Sequence, residues 1–330
     1  MKVIDVHAHI LVRELTQEAA PHETWRPRVV WDGGRERVEV GGRLLTSIVR
    51  PFVDLEALLE AQAAAGIQIT VLSPWIALLR DDGGPEEALR VARVVNEALA
   101  REVQRYPDRL RALGFVPLHD PERAAQELEV LLREPGMVGV EFPAQVQGEP
   151  LGHDRWEPFW AAAEALGAVV FIHPTTRGLL SPALQDYYLW NAVGNPLETA
   201  IAAAHLVMAG VLERHPRLKI VLAHGGGALL SLKGRLHRAW QQRPEARQRL
   251  QEAPEVSLRR FYFDALTHDP DVLRALIAFA GADRVLLGSD SPFDMGLEEP
   301  VAFIRSLGLP REQEEAILGG NAARLFRLGG

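Results

Sequence analysis

The sequence contains no cysteine among its 330 residues. This absence excludes a disulfide framework, a thiolate metal ligand and a cysteine nucleophile, so any metal must bind to His, Asp or Glu. Lysine is also scarce, because it occurs only at Lys2, Lys219 and Lys233. The basic residues are therefore almost all arginines, whose planar guanidinium groups suit the binding of carboxylates.

Three further features are missing. The net charge is -8 and no basic block with interleaved aromatic residues occurs, so nucleic acid is not an expected partner. No apolar run is long enough to span a membrane. No signal-peptide pattern precedes the first candidate site residue at position 7, so we expect a cytoplasmic protein. Apolar residues make up 47% of the chain, enough for a large core.

Short apolar segments alternate along the chain with amphipathic stretches. We predict strands at Val3–Val6, Ile67–Leu72, Leu110–Val116, Met137–Phe142, Ala168–Ile172, Leu218–Ala223, Phe261–Asp264 and Arg284–Leu287. We predict helices at Leu55–Ala65, Glu86–Arg105, Pro121–Leu132, Trp156–Leu166, Pro196–His215 and Asp271–Ala280, with C-terminal helices at Glu312–Leu318 and Asn321–Phe326. Eight such units favour a closed (β/α)8 barrel of the TIM type over an open doubly wound sheet, and no glycine-rich dinucleotide fingerprint follows the first strand.

One segment departs from this repeat. Residues 11–52 lie between the first strand and the first predicted helix, and they carry turn signals at Asp32-Gly33-Gly34 and Gly41-Gly42. Within them, Val29–Trp31 and Arg37–Val40 can pair as a small hairpin. Because a long loop in a compact domain usually serves a function, we predict a single barrel domain over 1–330 with 11–52 inserted over its mouth.

The first strand leads into His7 and His9. Residues two apart on a strand point to the same side, so both imidazoles face one point. Two converging imidazoles commonly begin a transition-metal site, although a histidine pair at this spacing is also often structural.

Other predicted strands end in similar residues. His173 follows the fifth strand, His224 follows the sixth, and Asp290 follows the eighth. Because the C-terminal ends of barrel strands meet at one mouth, these residues are expected beside His7 and His9. Five such residues at strand ends are hard to explain by packing alone, so the sequence predicts a metal site.

Four motifs resemble those of the amidohydrolase superfamily, and in particular its branch of 2-amino-3-carboxymuconate-6-semialdehyde decarboxylase and related metal-dependent decarboxylases. They are Asp5-Val6-His7-Ala8-His9, Phe171-Ile172-His173-Pro174, Ala223-His224-Gly225-Gly226-Gly227 and Gly288-Ser289-Asp290-Ser291-Pro292-Phe293. The resemblance continues through Phe261–Ala265 and Gly319–Ala322, so it covers most of the chain. It implies a distorted barrel of the metal-dependent hydrolase type.

The resemblance also implies a set of site residues. His7, His9, His173 and Asp290 become ligands of one divalent metal, with zinc expected, and His224 becomes an unligated acid/base next to the metal-bound water. Asp290 is expected to take part in catalysis as well, through a hydrogen bond to that water. The glycines after His224 either let the backbone approach a ligand or relieve crowding at a turn. Two-metal members of the superfamily carry a bridging lysine or glutamate after the fourth strand; here Glu141 stands there, and we expect it outside a one-metal site.

Substrate-binding residues follow from the same resemblance. Arg235 matches an arginine that enters the neighbouring subunit's site, which implies a homodimer, although an exposed helix charge is an equal alternative. Arg50 lies one residue from a second carboxylate-binding arginine, and Arg43 and Arg177 are further candidates. Two further matches are aromatic. Trp190 matches a tryptophan that would stack on a planar substrate, although ordinary core or interface packing is an equal alternative, and Phe293 matches a pocket phenylalanine.

Departures from the branch's pattern fall in the pocket. Thr175-Thr176 replaces Trp-Asp, Ser291 replaces a tyrosine, and Gln62 stands where Met-Asp is usual. The sequence thus predicts a zinc-dependent, non-oxidative decarboxylase of a small unsaturated or aromatic carboxylic acid. The alternative is a hydrolase or hydratase that uses the same metal on a lactone, amide or enol acid.

Overall fold

A computed structural model describes residues 1–16, 26–40, 43–47, 49–79, 84–175 and 178–328; within it, residues 40, 43 and 45–47 are described by their backbone alone. In these ranges an eight-stranded parallel sheet curves into a nearly closed barrel surrounded by helices, which confirms the predicted (β/α)8 architecture. Its strands, numbered with all others in chain order, are β1 (Ile4–Ile10), β5 (Ile69–Pro74), β6 (Leu110–Gly114), β7 (Met137–Pro143), β10 (Val169–His173), β11 (Lys219–Leu222), β12 (Tyr262–Asp264) and β13 (Val285–Leu286).

The first and last strands meet at a seam. Backbone hydrogen bonds cross it from Val6 N to Leu287 O at 3.0 Å and from Asp290 N to His7 O at 2.7 Å. The buried carboxylate of Asp5 adds a bond across the seam by accepting from the backbone N–H of Ser289 at 3.1 Å. The seam therefore fixes the relative positions of the chain segments that carry His7 and Asp290.

Helices cover the outside of the barrel. Their bounds are α1 (Arg13–Thr16), α2 (Arg50–Val53), α3 (Leu55–Ala64), α4 (Pro85–Arg105), α5 (Pro121–Leu131), α6 (Glu157–Leu166), α7 (Asn195–Met208), α8 (Val211–Arg214), α9 (Leu229–Gln242), α10 (Pro254–Leu258), α11 (Pro270–Ala280), α12 (Pro300–Ser306), α13 (Arg311–Glu315) and α14 (Asn321–Leu325). Several begin at an aspartate whose carboxylate accepts from first-turn N–H groups, as Asp120 and Asp269 do before a proline. Among the described residues, none of these helices combines the length and apolarity that crossing a membrane requires.

The predicted helix over Pro196–His215 is wrong in one respect, because the structure divides it into α7 and α8. Gly210 stands between them with φ +70°, and a Cβ there would lie 2.4 Å from Arg249 O. Helix α9 was not among the predicted helices. Leu229 is its one fully buried residue, and Leu230, Leu232, Leu236 and Trp240 pack against the core while half-buried, so an amphipathic pattern was present in the sequence.

The insertion after β1 forms an antiparallel sheet of β2 (Arg28–Asp32), β3 (Arg35–Val40) and β4 (Arg43–Ser47). The predicted hairpin is present as β2 and β3, joined at Gly33 and Gly34, both with positive φ as a tight hairpin turn requires. The third strand was not predicted. The turn signal at 41–42 lies outside the described residues.

The interior of the barrel is filled below its mouth. Inward side chains such as Val6, Val71 and Phe171 form one buried cluster, and Leu325 and Phe326 near the C-terminus join it from the lower end. Because the lower end is packed, the polar side chains at the strand ends face the open C-terminal mouth.

A separate short hairpin after β7 consists of β8 (Gln145–Val146) and β9 (Glu149–Pro150).

Candidate metal centre

The structure brings four predicted residues to one point at the mouth: His7, His9, His173 and Asp290. One potential ligand atom from each lies within 4.8 Å of the others, and all four residues are buried. The Nε2 atoms of His7 and His9 are 3.0 Å apart, and Asp290 Oδ1 lies 3.2 Å from the first and 3.1 Å from the second. The strand ends thus converge as the topology required.

Two of the imidazoles have a hydrogen-bond partner at Nδ1, the ring nitrogen that faces away from the converging atoms. His7 Nδ1 lies 2.6 Å from Asp264 Oδ2, and His173 Nδ1 lies 2.8 Å from the backbone oxygen of Pro174. An Nδ1–H group donating to these acceptors leaves the Nε2 lone pair directed inward, which is the tautomer that a metal needs.

The inward atoms lack partners within the protein. Among the described residues, His173 Nε2 and Asp290 Oδ1 are buried without a hydrogen-bond partner. Buried polar atoms normally have hydrogen-bond partners. A cluster of buried acceptors without partners is therefore what a binding site for a cation requires. Three imidazole nitrogens and one carboxylate oxygen are a donor set that suits zinc and the neighbouring divalent transition metals.

The charges around this point favour a cation. Burial alone would lower the pKa of His7, but the charge of Asp290 and the hydrogen bond to Asp264 raise it to about 10. Burial raises the pKa of Asp290, yet His7 and His224 outweigh this and hold it well below its usual value. The site therefore stabilises the Asp290 carboxylate when a positive charge lies beside it, carried either by a protonated histidine or by a metal ion.

Asp264 was not predicted as a site residue. Besides facing His7, its carboxylate accepts from the backbone N–H groups of His224 at 2.9 Å and Gly225 at 2.8 Å. Asp264 thereby fixes the positions of His7, a candidate ligand, and His224, the candidate acid/base, relative to each other. The signal was present, because Asp264 ends the predicted seventh strand just as the other site residues end theirs.

His224 stands beside the four converging residues. Its Nε2 atom is 3.5 Å from Asp290 Oδ2, and its side chain lines the cavity above the site. Both His224 and Asp290 have left-handed backbones, with φ +56° and +58°. Such conformations cost about 1–3 kcal/mol for non-glycine residues and often occur at functional sites.

The glycines after His224 relieve crowding at the turn. Gly227 has φ +59°, and a Cβ there would come within 2.1 Å of Pro196 O at the start of α7. Gly225 and Gly227 also line the cavity, so both explanations that the sequence left open have an observation in their favour.

A cavity of about 640 Å³ opens above the site. Phe52, Trp75, Trp190 and Phe293 contribute its aromatic walls, and the Phe293 ring lies 5.3 Å from that of His9. The two predicted aromatic residues, Trp190 and Phe293, are thus both at the cavity. Polar groups on its lining include Asn191, Asn195 and Thr267.

The predicted arginines are placed differently. Arg50 is absent from the cavity lining, its side chain is 72% exposed, and it pairs with Asp54 at 3.0 Å. Arg235 lies on α9 and does not line the cavity of its own chain. The side chain of Arg43 and all of Arg177 lie outside the described residues. Arg37, on β3 of the insertion, lines the cavity and was missed.

A (β/α)8 barrel whose strand ends gather three histidines and an aspartate defines a class of metal-dependent barrel enzymes. The model of the amidohydrolase family matches residues 4–328, so the chain belongs to that family. Members of this family depend on a metal, and this chain presents its candidate site at His7, His9, His173 and Asp290.

The relatives of the chain narrow the class further. It is 29% identical over 329 residues to 2-amino-3-carboxymuconate-6-semialdehyde decarboxylase of Dictyostelium discoideum, covering 98% of this chain and 91% of that one. It is 34% identical over 250 residues to 6-methylsalicylic acid decarboxylase of Penicillium expansum, covering 73% and 76%. A dihydroxybenzoic acid decarboxylase of Polaromonas sp. JS666, solved with manganese and 2-nitroresorcinol, superposes with a TM-score of 0.77 at 24% identity over 99% and 97% of the chains. The chain is accordingly a metal-dependent carboxy-lyase of the amidohydrolase superfamily.

Proposed function

We propose that this enzyme is a non-oxidative decarboxylase of a small aromatic or unsaturated carboxylic acid, with one divalent metal ion and no organic cofactor. The observation that carries the proposal is the pairing of four converging ligand atoms with an unligated histidine, His224, at the floor of an aromatic-walled cavity. The similarity to decarboxylases of this kind supports it. Zinc is the metal we propose first, because the donor set suits it.

The residues of the chain divide the work. A divalent ion, when bound by His7, His9, His173 and Asp290, supplies positive charge that attracts the oxygens of an acidic substrate. The aromatic side chains of the cavity hold a planar substrate and exclude water. His224 Nε2 holds a proton beside Asp290 Oδ2 and delivers it to the carbon atom from which carbon dioxide departs.

The direct test is product analysis. Protein loaded separately with zinc or manganese is incubated with a muconate semialdehyde acid and with a panel of hydroxybenzoates and methylsalicylates. We expect release of carbon dioxide and formation of the decarboxylated product with at least one acid. Failure with every acid would contradict the proposal, and addition of water to a lactone, amide or enol acid would favour the hydrolase or hydratase alternative.

Arg37 is expected to recognise the substrate. Among the described residues that line the cavity, it is the only arginine or lysine. Its Nη1 atom bonds Asp32 at 3.0 Å, which holds the side chain on the inserted sheet. We propose that 11–52 lies over the barrel mouth and that Arg37 contacts an acidic or hydroxyl group of the substrate from there.

We therefore expect Arg37→Gln to raise KM about 10–100-fold with little change in kcat, since a hydrogen bond to a charged group contributes about 1.5–3 kcal/mol. Steady-state kinetics on the identified acid checks this. Arg50→Gln is the matched control, because Arg50 is paired outside the cavity, and its KM should stay within about twofold of the parent. Equal effects of the two changes would contradict the role of Arg37.

We also propose a homodimer in which Arg235 enters the neighbouring subunit's site. Ser231, Arg235 and Arg238 are exposed on α9, on the side away from the leucines that pack on the core, which leaves this side of the helix for a second copy. Mixing an Arg235→Ala protein with a His173→Ala protein should restore activity, because mixed dimers contain one site with both groups intact. No recovery after subunit exchange, with dimers present by light scattering, would contradict the shared site.

A further inference from the structure

A buried glutamate behind the candidate metal centre has no assigned partner. Glu141, near the end of β7, is fully buried, and both carboxyl oxygens lack a hydrogen-bond partner among the described residues. His9 Nδ1 lies 3.7 Å from its Oε1 atom, and that nitrogen is also buried and has no hydrogen-bond partner among the described residues. Two unsatisfied groups thus face each other in a water-poor interior.

We propose that Glu141 is a positioning residue that accepts a hydrogen bond from the Nδ1–H group of His9 and so directs His9 Nε2 at the metal. This inference rests on the metal site of the proposed function. A shift of about 0.5 Å closes the present gap to hydrogen-bond range. Either a carboxylate oxygen or the carbonyl oxygen of a protonated carboxyl can accept, so the role does not depend on the ionisation of Glu141.

The other two imidazoles give the reason for expecting such a partner. His7 Nδ1 is held by Asp264, and His173 Nδ1 is held by the Pro174 carbonyl. His9 alone among the three lacks a partner at hydrogen-bond distance on Nδ1 within the described residues, and besides Glu141 the backbone carbonyl of Pro74 is an acceptor near its imidazole. With Glu141 as acceptor, each of the three candidate ligands has its outer nitrogen fixed by a different element of the barrel.

The same geometry limits the number of metal ions. A bridging carboxylate would have to stand beside the inward Nε2 atoms, where the ligand group gathers. Glu141 instead faces the opposite nitrogen of His9, and it is not part of the group whose ligand atoms lie within 4.8 Å. We therefore infer one ion per chain, with Glu141 outside its coordination sphere.

The test measures metal binding and needs no substrate. Purified Glu141→Leu, Glu141→Gln and Val140→Ala proteins are stripped of metal, and their affinity for Zn²⁺ is measured by competition with a chromophoric chelator at one pH. Val140 is a fully buried neighbour on the same strand, so its truncation reports packing loss alone. The absorption spectrum of the Co²⁺-loaded proteins reports ligand geometry.

We expect Glu141→Leu to weaken Zn²⁺ binding about 10–100-fold and to alter the Co²⁺ spectrum. Glu141→Gln, whose amide oxygen still accepts, should stay within about threefold of the parent, and Val140→Ala should not change the affinity. Parent-like binding by Glu141→Leu, equally weak binding by Glu141→Gln, or two ions per parent chain would overturn the inference.

A measurement on the parent protein covers the case in which Glu141→Leu does not fold. In the Zn²⁺-loaded protein with ¹⁵N-labelled histidine, three metal-bound imidazoles should show Nδ1 protons protected from exchange. Detection of only the two assigned to His7 and His173 would overturn the role of Glu141. Because none of these readouts involves turnover, a failed decarboxylation assay would leave this result intact.

Discussion

Replacing His224 by Asn is expected to lower the rate of decarboxylation by a factor of about 100 to 10,000, the usual contribution of a positioned general acid or base. The metal content should stay near one ion per chain. The reason is placement: His224 Nε2 lies 3.5 Å from Asp290 Oδ2 and faces the cavity, but His224 is not one of the four converging residues. Activity and metal content, measured on the same preparations, check the two halves of this prediction.

His268→Asn is the matched control for this experiment. His268 lines the same cavity but is exposed and belongs to the loop that follows β12. Its replacement should leave kcat within a few-fold of the parent. Full activity of the His224 variant, or loss of its metal, would show that His224 is not an unligated acid/base.

Asp290→Asn should remove both the metal and the activity. Asp290 supplies the only carboxylate of the four converging residues, and its Oδ1 atom lies within 3.2 Å of both His7 Nε2 and His9 Nε2. An amide keeps the shape but removes the charge that offsets a divalent cation. We expect a loss of metal on dialysis against a mild chelator and a fall in activity of more than about 1,000-fold, within the range that metal catalysis supplies.

Asp294→Asn provides the comparison for that loss. Asp294 also lines the cavity, where it accepts from the hydroxyl of Tyr188 at 3.4 Å, but it is not among the converging ligands. It should retain metal after the same dialysis. If the Asp290 variant kept its ion and its activity, the proposed centre would be wrong.

The convergence of the four candidate ligands could be predicted because it depends on topology rather than on detailed packing. Once the alternation of strands and helices indicated a barrel, His7, His173 and Asp290 had to meet at the ends of their strands. The two-residue period of a strand placed His9 beside His7 in the same way. These inferences require only the order of the elements along the chain and the two-residue period of a strand.

Partnerships across the barrel could not be predicted in this way. Asp264 faces His7 because of the register and closure of strands far apart in the chain, and the sequence does not specify that register. Arg37 reaches the cavity from an inserted sheet that packs on the main core through Val38, and strand periodicity does not reveal that contact. The break at Gly210 depends on a left-handed glycine that helical periodicity does not detect.

The seam between β1 and β13 determines when, during synthesis and folding, the candidate ligands can come together. His7 and His9 lie on β1 and are synthesised well before Asp290, which comes from the segment after β13. A nascent chain cannot present the complete ligand set until that last segment has docked on the first. Metal binding therefore indicates that the barrel has closed at this seam. Chains that end before residue 290 should lack a complete set of candidate ligands.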